Sequence, residues 1–265
     1  MSGKQTALIT GASFGFGNEL AKLFAKDGYN LILVARSEDK LKDLAEQLRQ
    51  QYQIDVLVMA KDLFSPTAPN EIYQALKDAD QVVDVLVNNA GFGTYGRFSE
   101  IEAENDMNLV QLNVATVTLM TKLFLKDMVA RDSGRILNVA SMAAFMSGPY
   151  MATYFASKAY VMSFTEAVAE EVQGSGVKIM ALCPGVASTN FQATAKNEAA
   201  IIGGKFDSLM MTAEQVVSAG YKDFMNDKVI SIPGLSNKAT ALMVRFIPRR
   251  LMTKGIKIFN SSKGL

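Results

Sequence analysis

Thr10-Gly11-Ala12-Ser13-Phe14-Gly15-Phe16-Gly17 joins an apolar run at residues 6–10 to an amphipathic stretch at residues 18–27. The run is typical of a buried strand and the stretch of a helix, so the glycines occupy a strand–turn–helix context. Glycines let a backbone approach a pyrophosphate closely, and a helix N-terminus offers free N–H groups and a favourable dipole. The spacing is G-x-x-x-G-x-G, which differs from the general dinucleotide fingerprint, and an ordinary glycine-rich turn is the alternative. The predicted nucleotide contacts are Gly11, Ser13, Phe14, Gly15, Phe16 and Gly17.

Short apolar runs alternate with longer amphipathic stretches beyond this loop. Further strands are predicted at residues 30–35, 55–59, 84–87, 135–140, 177–182 and 228–232. Helices are predicted from a Ser37 cap to about residue 51, at 66–79 with its proline in the first turn, at 102–130 and at 154–173. Continuously apolar strands spaced by helices indicate a Rossmann-like doubly wound α/β fold, with about seven parallel strands and helices on both faces. We predict one domain over 1–265, with a core at about 4–232 and a helical extension at about 235–259.

The composition excludes several kinds of chemistry. The 265 residues are 49% hydrophobic and 20% charged, which fits a globular protein, and include no histidine. A Ser-His-Asp triad and a histidine-ligated metal site are therefore impossible, so acid–base work falls to Tyr, Lys, Asp or Glu. Cys183 is the single cysteine, which excludes an internal disulfide.

No run approaches about 20 uninterrupted apolar residues and the start does not resemble a signal peptide, so we expect a cytoplasmic protein without a transmembrane segment.

The end of the second predicted strand, Val34-Ala35-Arg36-Ser37, bears on cofactor choice. An acidic residue near this strand end would bind the adenosine ribose hydroxyls of NAD, and none is present. The Arg36 guanidinium could instead pair with the 2′-phosphate of NADP, with help from Ser13. A surface arginine is the alternative, and we expect NADP(H) to be favoured over NAD(H).

Tyr154 and Lys158 lie four residues apart at the start of a predicted helix, so their side chains share one face. Such a pair alone is usually a solvated helix face. Ser141, however, lies at the C-terminal end of a predicted parallel strand, where open α/β sheets place their ligands. The three residues are therefore candidates for one catalytic site.

With these features in place, the chain resembles the short-chain dehydrogenase/reductase family over about residues 4–232. The matching motifs are the glycine loop, Asp62-Leu63, Asn88-Asn89-Ala90-Gly91, Asn113, Ser141, Tyr154-x-x-x-Lys158, and Pro184-Gly185 followed by Thr189. Seven such motifs in the right order are very specific. Phe16 departs from the family pattern, which usually has a smaller aliphatic residue there. The resemblance is greatest to a bacterial oxidoreductase subgroup with an extra C-terminal helical segment.

The resemblance implies a role for each catalytic candidate. Tyr154 would be the general acid in reduction and the base in oxidation, which requires its pKa to fall by about three units from about 10. The Lys158 ammonium and the oxidised nicotinamide would supply the positive charge, and Lys158 would also bind the nicotinamide ribose. Ser141 would orient and polarise the substrate oxygen. Asn113 would hold a water that connects Lys158 to solvent, or would simply be a polar residue that kinks a helix in the core.

The resemblance also implies cofactor contacts beyond the glycine loop. Asp62 would bind the adenine amino group, and Leu63 would lie beside the ring. Asn89, Ala90 and Gly91 would line the central cleft, although such loops also stabilise the sheet. Pro184, Gly185 and Thr189 would hold the carboxamide.

The substrate pocket is less clear from the sequence. Its apolar candidates indicate a medium-sized hydrophobic carbonyl compound, although each could equally be a packing residue. These candidates are Phe92, Tyr95, Met142, Phe145, Met146, Ile201, Ile202 and Phe206.

The C-terminal part is a separate electrostatic unit. Eight basic and no acidic residues follow Asp227, whereas residues 1–227 carry 19 basic and 26 acidic residues, a net charge of −7. Pro248 divides the extension into two short predicted helices. They either pack on the domain and cover the substrate loop, or recruit an anionic partner such as acidic lipid headgroups or a phosphate-bearing acyl thioester. DNA binding is not expected, because the main domain is acidic and contains no recognition module.

Two other functions are compatible with the predicted fold. A catalytically silent, redox-sensing NADP(H)-binding regulator is one, although the complete set of Asn113, Ser141, Tyr154 and Lys158 argues against it. A sugar-nucleotide epimerase is the other, although it usually needs a larger C-terminal substrate domain. The predicted helices at 102–130 and 154–173 are apolar on more than one face, so we expect a homodimer or homotetramer.

Overall fold

The computed structural model describes residues 4–186 and 211–261. Its strands are β1 (Thr6–Thr10), β2 (Asn30–Ala35), β3 (Val56–Ala60), β4 (Val85–Asn88), β5 (Gly134–Val139), β6 (Val177–Leu182) and β7 (Ile230–Ser231). They form one sheet in the order β3-β2-β1-β4-β5-β6-β7, and each neighbouring pair is parallel. The predicted doubly wound α/β fold is confirmed.

Helices surround this sheet. They are α1 (Gly15–Lys26), α2 (Glu38–Tyr52), α3 (Ala68–Asp78), α4 (Ala103–Val110), α5 (Val117–Ala130), α6 (Ala152–Glu171), α7 (Ala213–Met225), α8 (Leu235–Val244) and α9 (Arg249–Ser261). A π-helical turn, Gln111–Thr116, joins α4 to α5, and a 3₁₀ turn, Met142–Phe145, follows β5. The last two helices are the predicted C-terminal extension.

The core has one layer on each face of the sheet, because successive strand residues point to opposite faces. In β1, Ile9 packs with Phe24 of α1 and Phe224 of α7, and all three are buried. Its neighbour Leu8 packs on the other face, with Ile72 of α3. The sheet is therefore covered on both sides, as its continuously apolar strands predict.

Several predicted boundaries were wrong for local reasons. Helix α1 already begins at Gly15, because the loop glycines belong to its first turn. Ser37 occupies the N-cap position of α2, but its side chain makes no capping hydrogen bond. The proline in the first turn of α3 is Pro69, and Pro66 precedes the helix. Helix α7 was not predicted, although Thr212 and Gln215 form a capping box at its start.

The helical segment Ala103–Ala130 is long and apolar enough, by length and composition alone, to cross a membrane. In the fold its apolar residues contribute to the protein core, because Leu109, Met120 and Phe124 are buried. Met120 and Phe124 belong to the core layer that contains Leu8 and Ile72. This is the position of a core helix packed against a sheet.

Candidate active site

A cavity of about 590 Å³ lies at the carboxyl ends of the strands. It includes the point between β1 and β4 where the strand order reverses, which is where open α/β sheets bind ligands. Most of the predicted site residues line it: Gly11, Ser13, Phe14, Gly15, Phe16, Arg36, Asp62, Leu63, Asn89, Ala90, Gly91, Ser141, Tyr154, Lys158, Pro184 and Gly185. Gly17 and Asn113 are not among the lining residues, and Thr189 lies outside the described residues.

The glycine loop is shaped by close backbone contacts. Gly11 has a φ of +66°, and a Cβ atom there would lie 2.9 Å from the Ala90 Cα. A Cβ atom on Gly17 would lie 2.3 Å from the Gly11 carbonyl oxygen. The role of Gly17 is therefore to let α1 pack against the loop. Phe14 occupies the N-cap position of α1 without a side-chain hydrogen bond, so no side-chain cap competes with a phosphate for the first N–H groups.

Thr10, the last residue of β1, ties the loop to the end of β4. Its hydroxyl donates to the Val87 carbonyl at 3.1 Å and accepts from the N–H groups of Asn89 and Ala90 at 3.0 and 3.1 Å. The Asn89 amide in turn donates to the Thr10 carbonyl at 2.9 Å. Asn89 therefore braces the cleft as well as lining it. Thr10 was not predicted from the sequence as a site residue. Its position as a hydroxyl residue at the end of the first strand could have indicated this role.

Arg36 lies at the β2 end of the cavity. Its guanidinium carbon is 4.9 Å from the centre of the Phe64 ring, which packs edge-on against Phe92. Within the described residues no carboxylate forms a salt bridge with Arg36, so stacking orients the group. Arg36 and Lys61 both line this part of the cavity. Neither Phe64 nor Lys61 was singled out from the sequence.

Asp62 and Leu63 follow β3 at the same end of the cavity. The exposed Asp62 carboxylate accepts from the Phe64 N–H at 3.1 Å, which holds the turn. The Leu63 side chain is buried, and its carbonyl accepts from the Thr116 hydroxyl at 3.0 Å. The π-helical turn therefore supports this wall.

Ser141, Tyr154 and Lys158 lie together in the same cavity. The Ser141 side chain hydrogen-bonds Tyr154, and its oxygen also accepts from the Ala143 N–H at 3.1 Å. The Lys158 Nζ atom donates to the Val139 carbonyl at 2.8 Å and lies 5.9 Å from the centre of the Tyr154 ring. The first turns of α6 thus place a phenol and an ammonium beside the hydroxyl that follows β5.

The titration of the two groups is governed by burial. Burial raises the pKa of Tyr154 above its ordinary value, and the hydrogen bond with Ser141 opposes this increase. The decrease in the Tyr154 pKa that the resemblance implies is not found in the chain alone, because Ser141 is the group that opposes the effect of burial and Lys158 makes no resolved contribution. Burial lowers the pKa of Lys158 to about 8, so its ammonium is charged at neutral pH.

Asn113 lies in the π-helical turn, behind the cavity wall. Its side chain accepts from the Phe92 N–H at 3.2 Å and donates to the Phe92 carbonyl at 2.9 Å and the Ser157 hydroxyl at 3.1 Å. A Cβ atom on Gly91 would lie 3.0 Å from the Asn113 Oδ1 atom and 3.5 Å from the Lys158 Nζ atom. Asn113 therefore lies near Lys158 and braces the loop after β4. π-Helical turns of this kind are frequent at functional sites.

The predicted substrate residues divide into two groups. Phe92, Met142 and Met146 line the cavity, whereas Tyr95 and Phe145 do not. Phe145 lines a neighbouring cavity of about 510 Å³, which shares Met146 and Phe155 with the first. The remaining candidates, Ile201, Ile202 and Phe206, lie outside the described residues.

The C-terminal extension supplies a wall that the sequence did not predict residue by residue. Ile256, Phe259 and Asn260 of α9 line the cavity. The Tyr95 hydroxyl donates to the Asn260 carbonyl at 2.7 Å, and the Asn260 amide donates to the Pro149 carbonyl at 2.8 Å. Asn260 is buried, so these bonds hold α9 against the segments that contain Tyr95 and Pro149.

Comparisons with known proteins agree with this geometry. The family model described as short chain dehydrogenase matches residues 5–200. A 7beta-hydroxysteroid dehydrogenase from Mediterraneibacter gnavus is 29% identical over 238 residues, which cover 88% of this chain and 87% of that protein. Among solved structures, a short-chain dehydrogenase from Sphingobium yanoikuyae in complex with NADPH is 28% identical, with a TM-score of 0.82 and coverage of 91% of this chain and 93% of that one. A short chain dehydrogenase/reductase from Burkholderia phymatum in complex with NAD is 25% identical, with a TM-score of 0.79, and the match covers 90% of this chain and 92% of that one.

Proposed function

Because the chain belongs to the short-chain dehydrogenase family, and so is an oxidoreductase that acts on alcohol or carbonyl groups with a nicotinamide cofactor, we propose a more specific activity. It is an NADP(H)-dependent enzyme that interconverts a carbonyl and an alcohol on an apolar, medium-sized substrate. The observation that carries the proposal is the placement of Ser141, Tyr154 and Lys158 in one cavity with the glycine loop and Arg36.

The residues of the chain divide the acid–base work. The bound nicotinamide supplies or accepts the hydride. The Tyr154 hydroxyl gives a proton to the substrate oxygen in reduction and removes it in oxidation. The Ser141 hydroxyl, already bonded to Tyr154, polarises the same oxygen. The Lys158 ammonium binds the nicotinamide ribose and, together with the oxidised nicotinamide, would supply the positive charge that lowers the Tyr154 pKa in the complex. The neighbouring Asn113 holds the water of a proton relay.

The proposed preference for NADP(H) rests on charge. The adenosine end contains Arg36, stacked on Phe64 with its donors free of carboxylates in the described structure, together with Ser13 and Lys61. These groups suit a 2′-phosphate, whose charge they would neutralise. Asp62 binds the adenine amino group in this scheme, and Pro184, Gly185 and Thr189 hold the carboxamide. The NADPH complex of the related structure supports this choice, although a related protein binds NAD.

The proposed substrate is an apolar, medium-sized alcohol or the matching carbonyl compound. Phe92, Met142, Met146 and Phe155 give the substrate end an apolar lining. The similarity to a 7beta-hydroxysteroid dehydrogenase makes hydroxysteroids the first compounds to test. We further propose that the enzyme acts as a cytoplasmic homodimer or homotetramer.

The proposal is tested by following NADPH and NADH oxidation with aldehydes, ketosteroids, other ketones and β-ketoacyl thioesters. Tyr154→Phe should lower turnover by about 10²-fold or more. Its NADPH affinity, followed by the fluorescence of the cofactor, should stay close to wild type. Tyr160→Phe, on the same helix but bonded to Thr118, is the matched control and should stay active. Tight binding without turnover of any substrate would favour the silent regulator instead, and absence of NADP(H) binding would refute both.

A further inference from the structure

The outer side of the C-terminal extension exposes large apolar side chains. Phe246, in the connection between α8 and α9, is 79% exposed, and Ile258 of α9 is 71% exposed. Single exposed apolar residues need no explanation, but this concentration in one segment does. The exposed set in the extension is Leu235, Leu242, Met243, Phe246, Leu251 and Ile258. Two further exposed residues, Phe259 and Ile247, line the candidate active site and the neighbouring cavity.

The same segment is basic without compensation. No acidic residue follows Asp227 in the sequence. Five exposed cations lie between residues 245 and 257, and within the described residues none of them forms a salt bridge. Some exposed lysines elsewhere have a carboxylate partner, as Lys42 does with Glu38, whereas this segment contains no acidic residue that could provide one. The five unpaired cations are Arg245, Arg249, Arg250, Lys254 and Lys257.

Helix α9 separates its two sides clearly. Arg250, Lys254 and Lys257 follow at i, i+4 and i+7, so they form one stripe along the helix. Leu251 and Ile258 form a parallel stripe beside it, at i and i+7. The opposite side of the helix carries Ile256 and Asn260, which line the candidate active site. We call Arg250, Leu251, Lys254, Lys257 and Ile258 the basic apolar face.

We propose that the basic apolar face binds the surface of an anionic lipid bilayer. A helix with adjacent cationic and apolar stripes places its apolar side chains at the headgroup boundary and its ammonium groups among lipid phosphates. A second copy of the chain fits less well. A two-fold contact would place the same cations opposite each other, and the face contains no acidic residue to pair with them.

Docking on a bilayer would bring the wall of the candidate active site close to the membrane. Ile256 and Asn260 lie on the cavity side of the same helix whose other side carries Lys254 and Ile258. The binding surface itself depends only on exposure and charge, so it is independent of the proposed enzymatic activity.

The test is co-sedimentation of the full chain with phosphatidylglycerol-containing vesicles and with pure phosphatidylcholine vesicles. Wild type should bind the anionic vesicles only, and binding should fall when salt is raised from about 0.1 M to 1 M, because the Debye length shrinks from about 10 to 3 Å. K254Q/K257Q should lower the partition coefficient by about 30-fold, which corresponds to about 1 kcal/mol per charge. L251S/I258S should lower it by about 10-fold or more, because apolar burial at the headgroup boundary is lost.

K40Q/K42Q on α2 is the matched control, since it removes the same charge from another exposed helix and should bind as wild type does. Cofactor fluorescence reports whether each variant is folded. Equal binding of wild type and K254Q/K257Q to anionic vesicles, or no binding of wild type, would overturn the proposal. A decrease in oligomer mass for L251S/I258S without vesicles, with no loss of vesicle binding, would identify the face as a contact between copies and would also overturn it.

Discussion

The Lys158 Nζ atom donates to the Val139 carbonyl at 2.8 Å while it lies 5.9 Å from the centre of the Tyr154 ring. The backbone of β5 therefore fixes the position of the ammonium beside the phenol. Lys158 is only 5% exposed, and this burial lowers its pKa to about 8. A charge that catalysis would use is thus held at a cost to folding.

Lys158→Met should raise the free energy of unfolding at pH 7. The unfolded chain keeps a lysine pKa of about 10.5, so between about pH 8 and 10.5 it binds more protons than the folded chain does. The folding penalty of the charge is therefore complete below pH 8 and disappears as the pH rises towards 10.5. It amounts to about 3 kcal/mol, offset by about 1 kcal/mol for the lost hydrogen bond. Urea unfolding at pH 7 and pH 10 measures the difference, which should shrink at pH 10.

The exposed Lys122→Met variant is the control for this experiment. An equal, pH-dependent stabilisation of that variant would contradict the burial argument. The Lys158→Met enzyme should also lose turnover if the proposed function is correct, which would make it more stable and less active.

Arg36→Gln should weaken NADPH binding by about 10- to 100-fold and leave NADH binding nearly unchanged. The reason is the loss of a charge-assisted hydrogen bond, worth about 1.5–3 kcal/mol, to the 2′-phosphate. Titrations of cofactor fluorescence with both nucleotides measure the ratio. Arg97→Gln removes a cation that does not line the cavity and is the control. A parallel loss for NADPH and NADH would refute the assignment of Arg36 to the phosphate.

Gly17→Ala should destabilise the protein and weaken cofactor binding. The added Cβ atom would lie 2.3 Å from the Gly11 carbonyl oxygen, so α1 must move away from the loop. Overpacking of this kind costs about 1–3 kcal/mol. Thermal unfolding gives the stability and NADPH titration gives the binding.

Gly255→Ala should stabilise the protein, in contrast to Gly17→Ala. Nothing lies within 4 Å of the position of the new Cβ atom, and Gly255 is inside α9. The exchange should therefore stabilise the helix by about 0.5–1 kcal/mol, because alanine loses less backbone entropy than glycine. Destabilisation by both variants would show that packing at Gly17 is not the cause.

Asn260→Ala should raise the substrate KM and leave NADPH affinity unchanged. The variant removes the amide that donates to the Pro149 carbonyl and leaves that carbonyl without the bond, at a cost of about 1–3 kcal/mol. Helix α9 would then hold the substrate wall less firmly. Asn226→Ala removes a similar amide-to-carbonyl bond, to Lys222, away from the cavity and should not change KM. A matching loss of NADPH affinity for Asn260→Ala would contradict the assignment of α9 to the substrate end.

The sequence predicted the parts of the fold that depend on local patterns. Continuously apolar strands such as Asn30–Ala35 predict a buried parallel sheet, and Tyr154 and Lys158 share a helix face because of their spacing. Motif order placed Ser141 beside them, and the structure brings all three into one cavity.

Contacts between distant residues could not be predicted in this way. The bond between Tyr95 and Asn260 joins residues 165 positions apart, and periodicity contains no information on it. Phe145 looked like a pocket residue because it is apolar and near Ser141, yet it lines the neighbouring cavity. The raised pKa of Tyr154 likewise follows from three-dimensional burial, which a nearby lysine in the sequence does not reveal.

The wall made by Ile256, Phe259 and Asn260 has a consequence for biosynthesis, because chains emerge from the ribosome with the N-terminal part first. A nascent chain that has reached Ser231 contains all seven strands of the described sheet and the whole glycine loop, but it lacks α9. The residues proposed to bind the nucleotide are therefore synthesised before those of the α9 wall. A chain that ends between β7 and α9 would therefore contain the glycine loop, Ser141, Tyr154 and Lys158 without the wall that α9 adds to their cavity.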